Sequence, residues 1–360
     1  MGYEIDFLPV GTGEKCGDAI AVRFGNLYGP RNDQAVVVVD GGFKETGEQL
    51  VQHIKQYYLT DYVDLVVLTH PDADHAAGIA IVLSQLKVGC LWMHLPWEHT
   101  EDIADMFKNG RVTDTSVSER LRKALDDARG LEKLAESKNI PMIEPFAGIE
   151  DDSGHITVIG PSVGYYDELL LDFRCTPEPK VVSSFLTRTI QAGVGLAEMV
   201  AETLDFETLD DSGETTAENN SSVILSIQLD GHRMLLTGDA GIPSLTRAAD
   251  YLEDCFEETS GWNFIQVPHH GSKRNVGPSI LDRLIGPKLD EYQEKLTAFV
   301  SAPKNGLPKH PAKKVTNAFH RRGAAAYARP GNPMRHSKDA PERKGWVAIE
   351  PLPLYPEVDE

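Results

Sequence analysis

The 360-residue sequence predicts an α/β fold, and two observations carry that expectation. First, "AVVVVDGG" (residues 35–42) and "DLVVLTH" (64–70) are continuous apolar runs, the pattern of strands buried on both faces. Second, strands fall into two groups, each interspersed with helical stretches and divided by a helical-then-acidic stretch at 162–219. The chemistry-bearing polar residues cluster where these strands end, which is where loops of α/β proteins converge into sites.

Taken in order, "YEIDFLPVG" (3–11) and "DAIAVRFG" (18–25) read as short strands around a Gly-rich turn. After the strand at 35–42, residues 48–58 read as a helix. The strand at 64–70 delivers His70 at its end, followed by a helix at 77–87 and a strand at 89–97. Residues 116–138 are charged and helical, stopping at Asn139-Ile140-Pro141. Strand character resumes in "HITVIGP" (155–161). Residues 162–219 read as an insertion or lid, ending in the acidic "ETLDFETLDDSGETTAE". "SVILSIQLDGHRMLLTGDA" (222–240) reads as a hairpin turning at Asp230-Gly231. "NFIQVPHHG" (263–271) and "KLTAFVSAP" (295–303) are further strands, 312–321 a short basic helix, and "GWVAIEPLPLY" (345–355) a last strand. The expectation is a single domain over 1–350 with a tail at 351–360.

Apolar content of 41% and charged content of 25% are those of a globular chain. The net charge of −20 argues against general attraction to nucleic acid or anionic membrane. Residues 302–345 depart from this average, with eleven Lys/Arg against two Asp/Glu. This is either a localised anion-binding face or a solvated surface that balances acidic helices. Cys16, Cys90, Cys175 and Cys255 are scattered without a C-x-x-C pair, so reduced thiols are expected. The N-terminus lacks the features of a signal peptide, and no run approaches a membrane span of about 20 apolar residues. A soluble cytoplasmic protein that makes no use of a membrane is expected.

The densest chemistry is "THPDADHAAGI" (69–79), with His70, Asp72, Asp74 and His75 in six positions before Gly78. A strand end followed by a tight loop aims alternate side chains at one point, and imidazole and carboxylate are ligands for divalent metals. The plainer alternative is a polar loop with Asp72 or Asp74 capping the next helix. Four further stretches repeat the strand-end placement: Asp239 in "LLTGDA", His269 and His270 in "VPHHGS", Asn219 and Asn220 in "AENNSSVIL", and Lys304, Asn305, Lys309 and His310 in "SAPKNGLPKHP". Each alone is compatible with an ordinary turn.

In this order the pieces resemble the metallo-β-lactamase superfamily, and within it the ComEC-type branch of DNA-uptake hydrolase domains. The resemblance runs from "VGTGEKCGDAIAV" (10–22) through "VVDGG", the 69–79 loop, "NNSSVIL", "LLTGDA" and "VPHHGS" to "SAPKNGLPKHP". It implies a four-layer αββα sandwich with a partly helical insertion and two divalent ions at one edge. His70 and Asp72 would hold one ion. Asp74, His75 and one of His269 and His270 would hold the other, with His270 the better match. Asp239 would bridge both, and Asp40 would orient the loop from behind. Asp72 stands where the family more often has His, and the family's third His motif is absent between 156 and 219. Neither His94 nor His155 sits in that motif, and each reads as a core or surface residue. An oxygen-rich set of this kind suits Mn²⁺, Mg²⁺ or Fe²⁺ as well as Zn²⁺.

The resemblance implies metal-dependent hydrolysis, with a phosphodiester, most of all DNA, as the expected substrate. Asp74 would take the proton of the attacking water. Lys273, Lys304 and Lys309 would neutralise phosphate oxygens, Asn220, Ser222 and Asn305 would line the substrate, and His310 would protonate the leaving oxygen. Two alternatives stand beside this: hydrolysis of a small molecule such as a cyclic nucleotide, lactone or thioester, and a metal-stabilised non-catalytic subunit. Residues 116–138 and 162–219 offer surfaces for a protein partner.

Overall fold

The computed structural model describes residues 1–12, 15–180, 199–256, 259–305 and 310–359. Its first strands are β1 (Gly2–Phe7), β2 (Ala19–Gly25), β3 (Gln34–Gly41), β4 (Tyr62–Val67), β5 (Lys87–Trp92) and β6 (Met142–Ile143). Then come β7 (Ile156–Gly160), β8 (Met199–Ala201), β9 (Ile224–Leu229), β10 (His232–Leu236), β11 (Phe264–Gln266) and β12 (Leu296–Phe299). The last are β13 (Ala324–Tyr327), β14 (Met334–Lys338) and β15 (Glu357–Asp359). They form a seven-stranded sheet, β14-β1-β2-β3-β4-β5-β6, a six-stranded sheet, β13-β12-β11-β10-β9-β7, and the pair β15-β8. In each large sheet one half is antiparallel and the other parallel: β3 to β6 in the first, β10 to β13 in the second.

The helices are α1 (Lys44–His53), α2 (Ala73–Ala76), α3 (Ile79–Gln85), α4 (Asp114–Ala124) and α5 (Asp126–Lys138). They continue with α6 (Val163–Leu170), α7 (Ala217–Asn220), α8 (Ile242–Phe256), α9 (Pro278–Leu284) and α10 (Lys313–Arg321). Strand alternation sorts the side chains into layers. Val36 and Val38 of β3 pack with Leu50 of α1, Val82 of α3 and Leu131 of α5. Val37 and Val39 point the other way and meet Leu225, Met234, Phe264 and Phe299 of the second sheet. On the outer face of that sheet, Ile265 and Ala298 pack with Leu252 of α8, Leu281 of α9 and Phe319 of α10. This is the αββα sandwich, and each buried aliphatic chain contributes about 1.5–3 kcal/mol to it.

The structure differs from the sequence reading in four places. Residues 116–138 form two helices, because Leu125 leaves helical geometry (φ −104, ψ 48) and turns its side chain inward. Residues 345–355 form no strand; the strands after β12 are β13, β14 and β15, each of five residues or fewer. Helices α8 and α9 stand where no element was expected. Of the insertion, 162–180 begins with α6, 199–219 carries β8, and 181–198 lie outside the described residues. Within the expected tail, Val358 of β15 is fully buried as its strand pairs β8. No helix among the described residues is long and apolar enough to cross a membrane.

Part of the basic segment's charge is paired within the fold. Arg321 is fully buried against Glu202 at 2.9 Å, and Arg322 pairs with Glu207 at 2.9 Å and Asp282 at 2.8 Å. Arg335 pairs with Glu4. Arg343 lies against Asp6 at 2.7 Å and Glu4 at 2.9 Å, and stacks on Tyr57 and Trp346. Four of the eleven cations are thus spent inside the fold.

Candidate metal centre

Parallel strands bring their C-terminal ends to one edge, and both sheets do so here. Asp40 closes β3 and His70 follows β4 in the first sheet. Asp239 follows β10, His269 and His270 follow β11, and the loop to His310 follows β12 in the second. The start of β2, antiparallel to β3, adds Asp18 at the same edge. The two edges are joined by Val223 N, which donates to the Thr69 carbonyl at 2.9 Å. Within the first sheet's edge the loops pack so closely that a Cβ on Gly78 would stand 1.9 Å from the Gly41 carbonyl oxygen. Gly78 itself has an ordinary helical φ of −76, so it serves this close approach rather than a turn.

Asp72 occupies the N-cap position of α2, but its side chain makes no capping hydrogen bond. The carboxylate instead stands with Oδ2 4.0 Å from His70 Nε2 and accepts from Arg174 at Oδ1. His70 Nε2 is 3.9 Å and His75 Nε2 3.6 Å from Asp239 Oδ2. His270 Nε2 is 3.9 Å from Asp239 Oδ1. His70, His75 and Asp239 form one three-ligand group, and Asp74, His75 and His270 another.

The residues fit divalent ions. His70 Nε2, His75 Nε2 and Asp239 Oδ1 are buried without hydrogen-bond partners, which isolated polar atoms do not tolerate. Their separations match donors held about 2.1 Å from a shared ion, roughly 3–4 Å apart. The far side of each ring is fixed. His75 Nδ1 donates to Asp40 Oδ2 at 2.7 Å, and Thr69 donates to both Asp40 oxygens, from its backbone N at 2.8 Å and its hydroxyl at 2.7 Å. With that hydroxyl proton spent, Thr69 Oγ1 accepts from His70 Nδ1 at 3.1 Å. Both imidazoles therefore turn Nε2 towards Asp239, the arrangement in which outer partners set the tautomer of metal-binding histidine.

Burial alone would lower the His75 pKa, but Asp40 and Asp239 outweigh it and hold it well above the usual range. Burial lowers His70, aided by the charge of His75. Burial would raise Asp239, but His269, His75 and His270 hold it well below the carboxylate range. Burial pushes Asp18 up to about 7, although Ser301 donates to its Oδ1 and Gln266 to its Oδ2.

Other expected residues fall around this centre. His269 is less buried than His270; its Nδ1 is 3.7 Å from Asp239 Oδ2 and 2.9 Å from Asn219 Nδ2. His270 is the member of the three-ligand groups. The His310 ring lies 6.4 Å from that of His269. Asn220 is fully buried away from the rim: its Oδ1 accepts from Gly241 N and Ser244 Oγ, and its Nδ2 donates to the Thr216 carbonyl. Ser222 is likewise buried, its Oγ accepting from Asp239 N at 3.1 Å, so it shapes the Asp239 loop. Both are enclosed within the fold rather than placed on the rim. Lys273 is exposed, and Asp210 is held low by the Ser212 hydrogen bonds with a further contribution from the charges of Lys314 and Lys273. Lys304 is half-buried with its backbone N on the Gly11 carbonyl, and Asn305 is exposed. Lys309 lies outside the described residues. His94 is stacked in a core between Phe146 and Tyr166, and His155 binds the Gln228 carbonyl, so neither joins the centre.

Asp18, Thr69, Gln266 and Arg174 went unforeseen. Asp18 sits directly before a strand in "CGDAIAV", and the antiparallel pairing of β2 with β3 brings that strand start to the edge where β3 ends.

The sequence matches the metallo-beta-lactamase superfamily over residues 22–289. No protein with a curated description matches the chain. Similar solved structures include Zn²⁺-bound PqqB from Methylobacterium extorquens, at 10% identity over 92% of this chain and 99% of that one, TM-score 0.39. A metallo-beta-lactamase from Hirschia baltica is 11% identical over 78% of this chain and 95% of that one, TM-score 0.30.

Proposed function

We propose that this chain, which belongs to the metallo-beta-lactamase superfamily, is a metal-dependent hydrolase whose substrate is a phosphodiester. The observation that carries the reading is two three-ligand groups that share His75, one containing Asp239 and the other placing His270 Nε2 3.9 Å from it, with buried donor atoms that lack hydrogen-bond partners. His70, Asp72 and Asp239 would hold one ion, and Asp74, His75, His270 and Asp239 the second. Such a pair lowers the pKa of water and offsets charge on attacking and leaving oxygens. A carboxylate-rich ligand set favours Mn²⁺ or Mg²⁺ alongside Zn²⁺, and these ions are suited to phosphate oxygens.

The chain's own groups supply the proton traffic. Asp74 Oδ accepts the proton of the attacking water, and the His310 side, next to His269, gives one to the leaving oxygen. Asp40 and Thr69 keep His70 and His75 in the orientation required.

DNA is the polymeric case of this substrate class. Its support from the basic segment is reduced by the internal pairing of Arg321, Arg322, Arg335 and Arg343. Hydrolysis of a neutral small ester is the second reading, favoured by the acidic residues Asp126 and Asp127 near the metal loop.

The test incubates the protein with bis(4-nitrophenyl) phosphate, with linear single- and double-stranded DNA, and with 4-nitrophenyl acetate, in Mn²⁺ or EDTA. An Asp74→Asn/His75→Ala double variant runs beside it. Cleavage of a phosphodiester that needs both Mn²⁺ and the intact loop is the expected result. Metal-dependent turnover of the neutral ester alone would move the assignment to the second reading.

A further inference from the structure

A cleft of about 480 Å³ opens beside the metal loop, lined by Asp72 and Asp74, by Asp126 and Asp127 at the start of α5, and by Arg174 and Glu218. Its charges are uneven, with five carboxylates and one guanidinium in the lining. Glu218 is 1% exposed, and its Oε1 accepts from the Arg174 backbone N at 2.7 Å and from Arg174 Nε at 3.0 Å. Its Oε2 is buried without a hydrogen-bond partner, so the carboxylate is kept in place by Arg174. The guanidinium is therefore pinned along its Nε edge. Its Nη2 end donates to Asp72 Oδ1, and the side chain as a whole is 61% exposed.

An arginine braced from behind by a buried carboxylate, with its forked end at a metal loop, is pre-organised for a phosphate oxygen. Asp72 neutralises that end only while its own charge is unshared. Were Asp72 to hold a divalent ion, its charge would be shared and the fork would regain net positive charge towards the cleft. Asp126 and Asp127, exposed on the same cleft, act in the opposite sense on any second anionic group.

We infer that Arg174 is the anion anchor of this cleft, and that the cleft selects a compact diester with one negative charge at the scissile phosphorus and none beyond it. The inference rests on the phosphodiesterase reading for the reaction, while the anchor itself is measurable by binding alone.

The experiment titrates inorganic phosphate calorimetrically into Mn²⁺-loaded wild type, Arg174→Ala and Arg174→Lys, with the metal content of each preparation measured. Phosphate affinity about tenfold lower in Arg174→Ala, partly recovered in Arg174→Lys, at equal metal content, is the expected result. Equal phosphate affinity in all three overturns the anchor. Loss of metal from Arg174→Ala also overturns it, because Arg174 would then only be holding Asp72 in place. For the charge limit, a dinucleotide is compared with the same dinucleotide bearing a terminal phosphate. The unphosphorylated one is expected to turn over faster, and equal rates overturn the role given to Asp126 and Asp127. Wild type that binds phosphate through Arg174 yet cleaves no diester would sink the phosphodiesterase reading and leave the anchor standing.

Discussion

Replacing Asp40 by Asn should harm metal binding more than replacing it by Ala, although Asn is nearly isosteric. Asp40 Oδ1 accepts from Thr69 N–H at 2.8 Å, a group that can only donate. An Asn at 40 must therefore keep its carbonyl oxygen on that side. Its Nδ2 then takes the place of Oδ2, which is 2.7 Å from His75 Nδ1. An amide N–H there turns Nδ1 into an acceptor and moves the ring proton to Nε2, the atom that faces Asp239 at 3.6 Å. The flipped amide would set its own N–H against the Thr69 N–H in a buried site, at about 1–3 kcal/mol. Loss of an outer partner ordinarily costs about 10–100-fold in metal affinity. Asp40→Ala, which frees the ring to choose its tautomer, belongs near the low end, about 1.4 kcal/mol, and Asp40→Asn near the high end, about 2.7 kcal/mol. Backbone strain acts against this order, because Asp40 has φ 57 and Asn accepts that conformation more easily than Ala. Competition for Mn²⁺ or Zn²⁺ with a chromophoric chelator measures the three affinities. Asp40→Asn binding as well as wild type, or better than Asp40→Ala, would refute the tautomer argument.

Three further outcomes are expected. His94 is buried and held neutral down to about pH 3, mainly by burial, whereas the unfolded chain takes up that proton near pH 6.5. The unfolded state thus binds more protons between these values, and stability is lost as pH falls below about 6.5, by about 2 kcal/mol at pH 5. His94→Phe, which fits the stack with Phe146 and Tyr166, should remove that share of the acid loss; urea unfolding of metal-free protein at pH 7.5 and 5 checks it. Arg343→Met should cost about 3 kcal/mol in chemical unfolding, since it strands Asp6 and Glu4 with fewer cations in a buried setting. Mn²⁺ at a hundred times its dissociation constant should stabilise the wild type by about 2.7 kcal/mol, read as a higher Tm that EDTA abolishes, with no such shift in the Asp74→Asn/His75→Ala variant.

The sequence made β3 and β4 legible because both faces of these strands are covered, so their apolar runs are unbroken. His70, Asp72, Asp74 and His75 were legible for the converse reason: polar groups placed directly after such a strand have little structural purpose. Helix α8 has its apolar positions at Leu245, Ala248, Ala249 and Leu252, a helical spacing that was there to be read. The two-helix form of 114–138 was not, because Leu125 is itself a good helix former and only burial against the first-sheet core turns it in. The charge count of 302–345 overstates its free positive charge because a count records no partners, and the partners of Arg335 and Arg343 lie more than 300 residues away in β1. Arg174 was illegible on the same ground: its carboxylates, Asp72 and Glu218, are 102 and 44 residues distant.

This distribution of charge bears on substrate more than the fold does, since one fold serves many reactions. The metal edge is acidic on its own: Asp18, Asp40 and Asp239 are buried there, with Asp72 and Asp74 beside them. Divalent ions would offset part of that charge, and among the described residues lining the adjoining cleft Arg174 is the one cation. Four arginines of the basic segment bind it to β1 and to the 202–207 stretch instead of facing a polyanion. A polymer with a charge at every phosphate would meet Asp126 and Asp127 beyond the scissile position, while a single diester would meet the ions and Arg174. Salt separates the two cases. Binding of a polyanion through several phosphate contacts should fall steeply between 50 and 200 mM salt, by about 10³-fold or more. Turnover of a compact diester held by one guanidinium and bound ions should change only a few-fold over the same range, and a steep loss would return the assignment to nucleic acid.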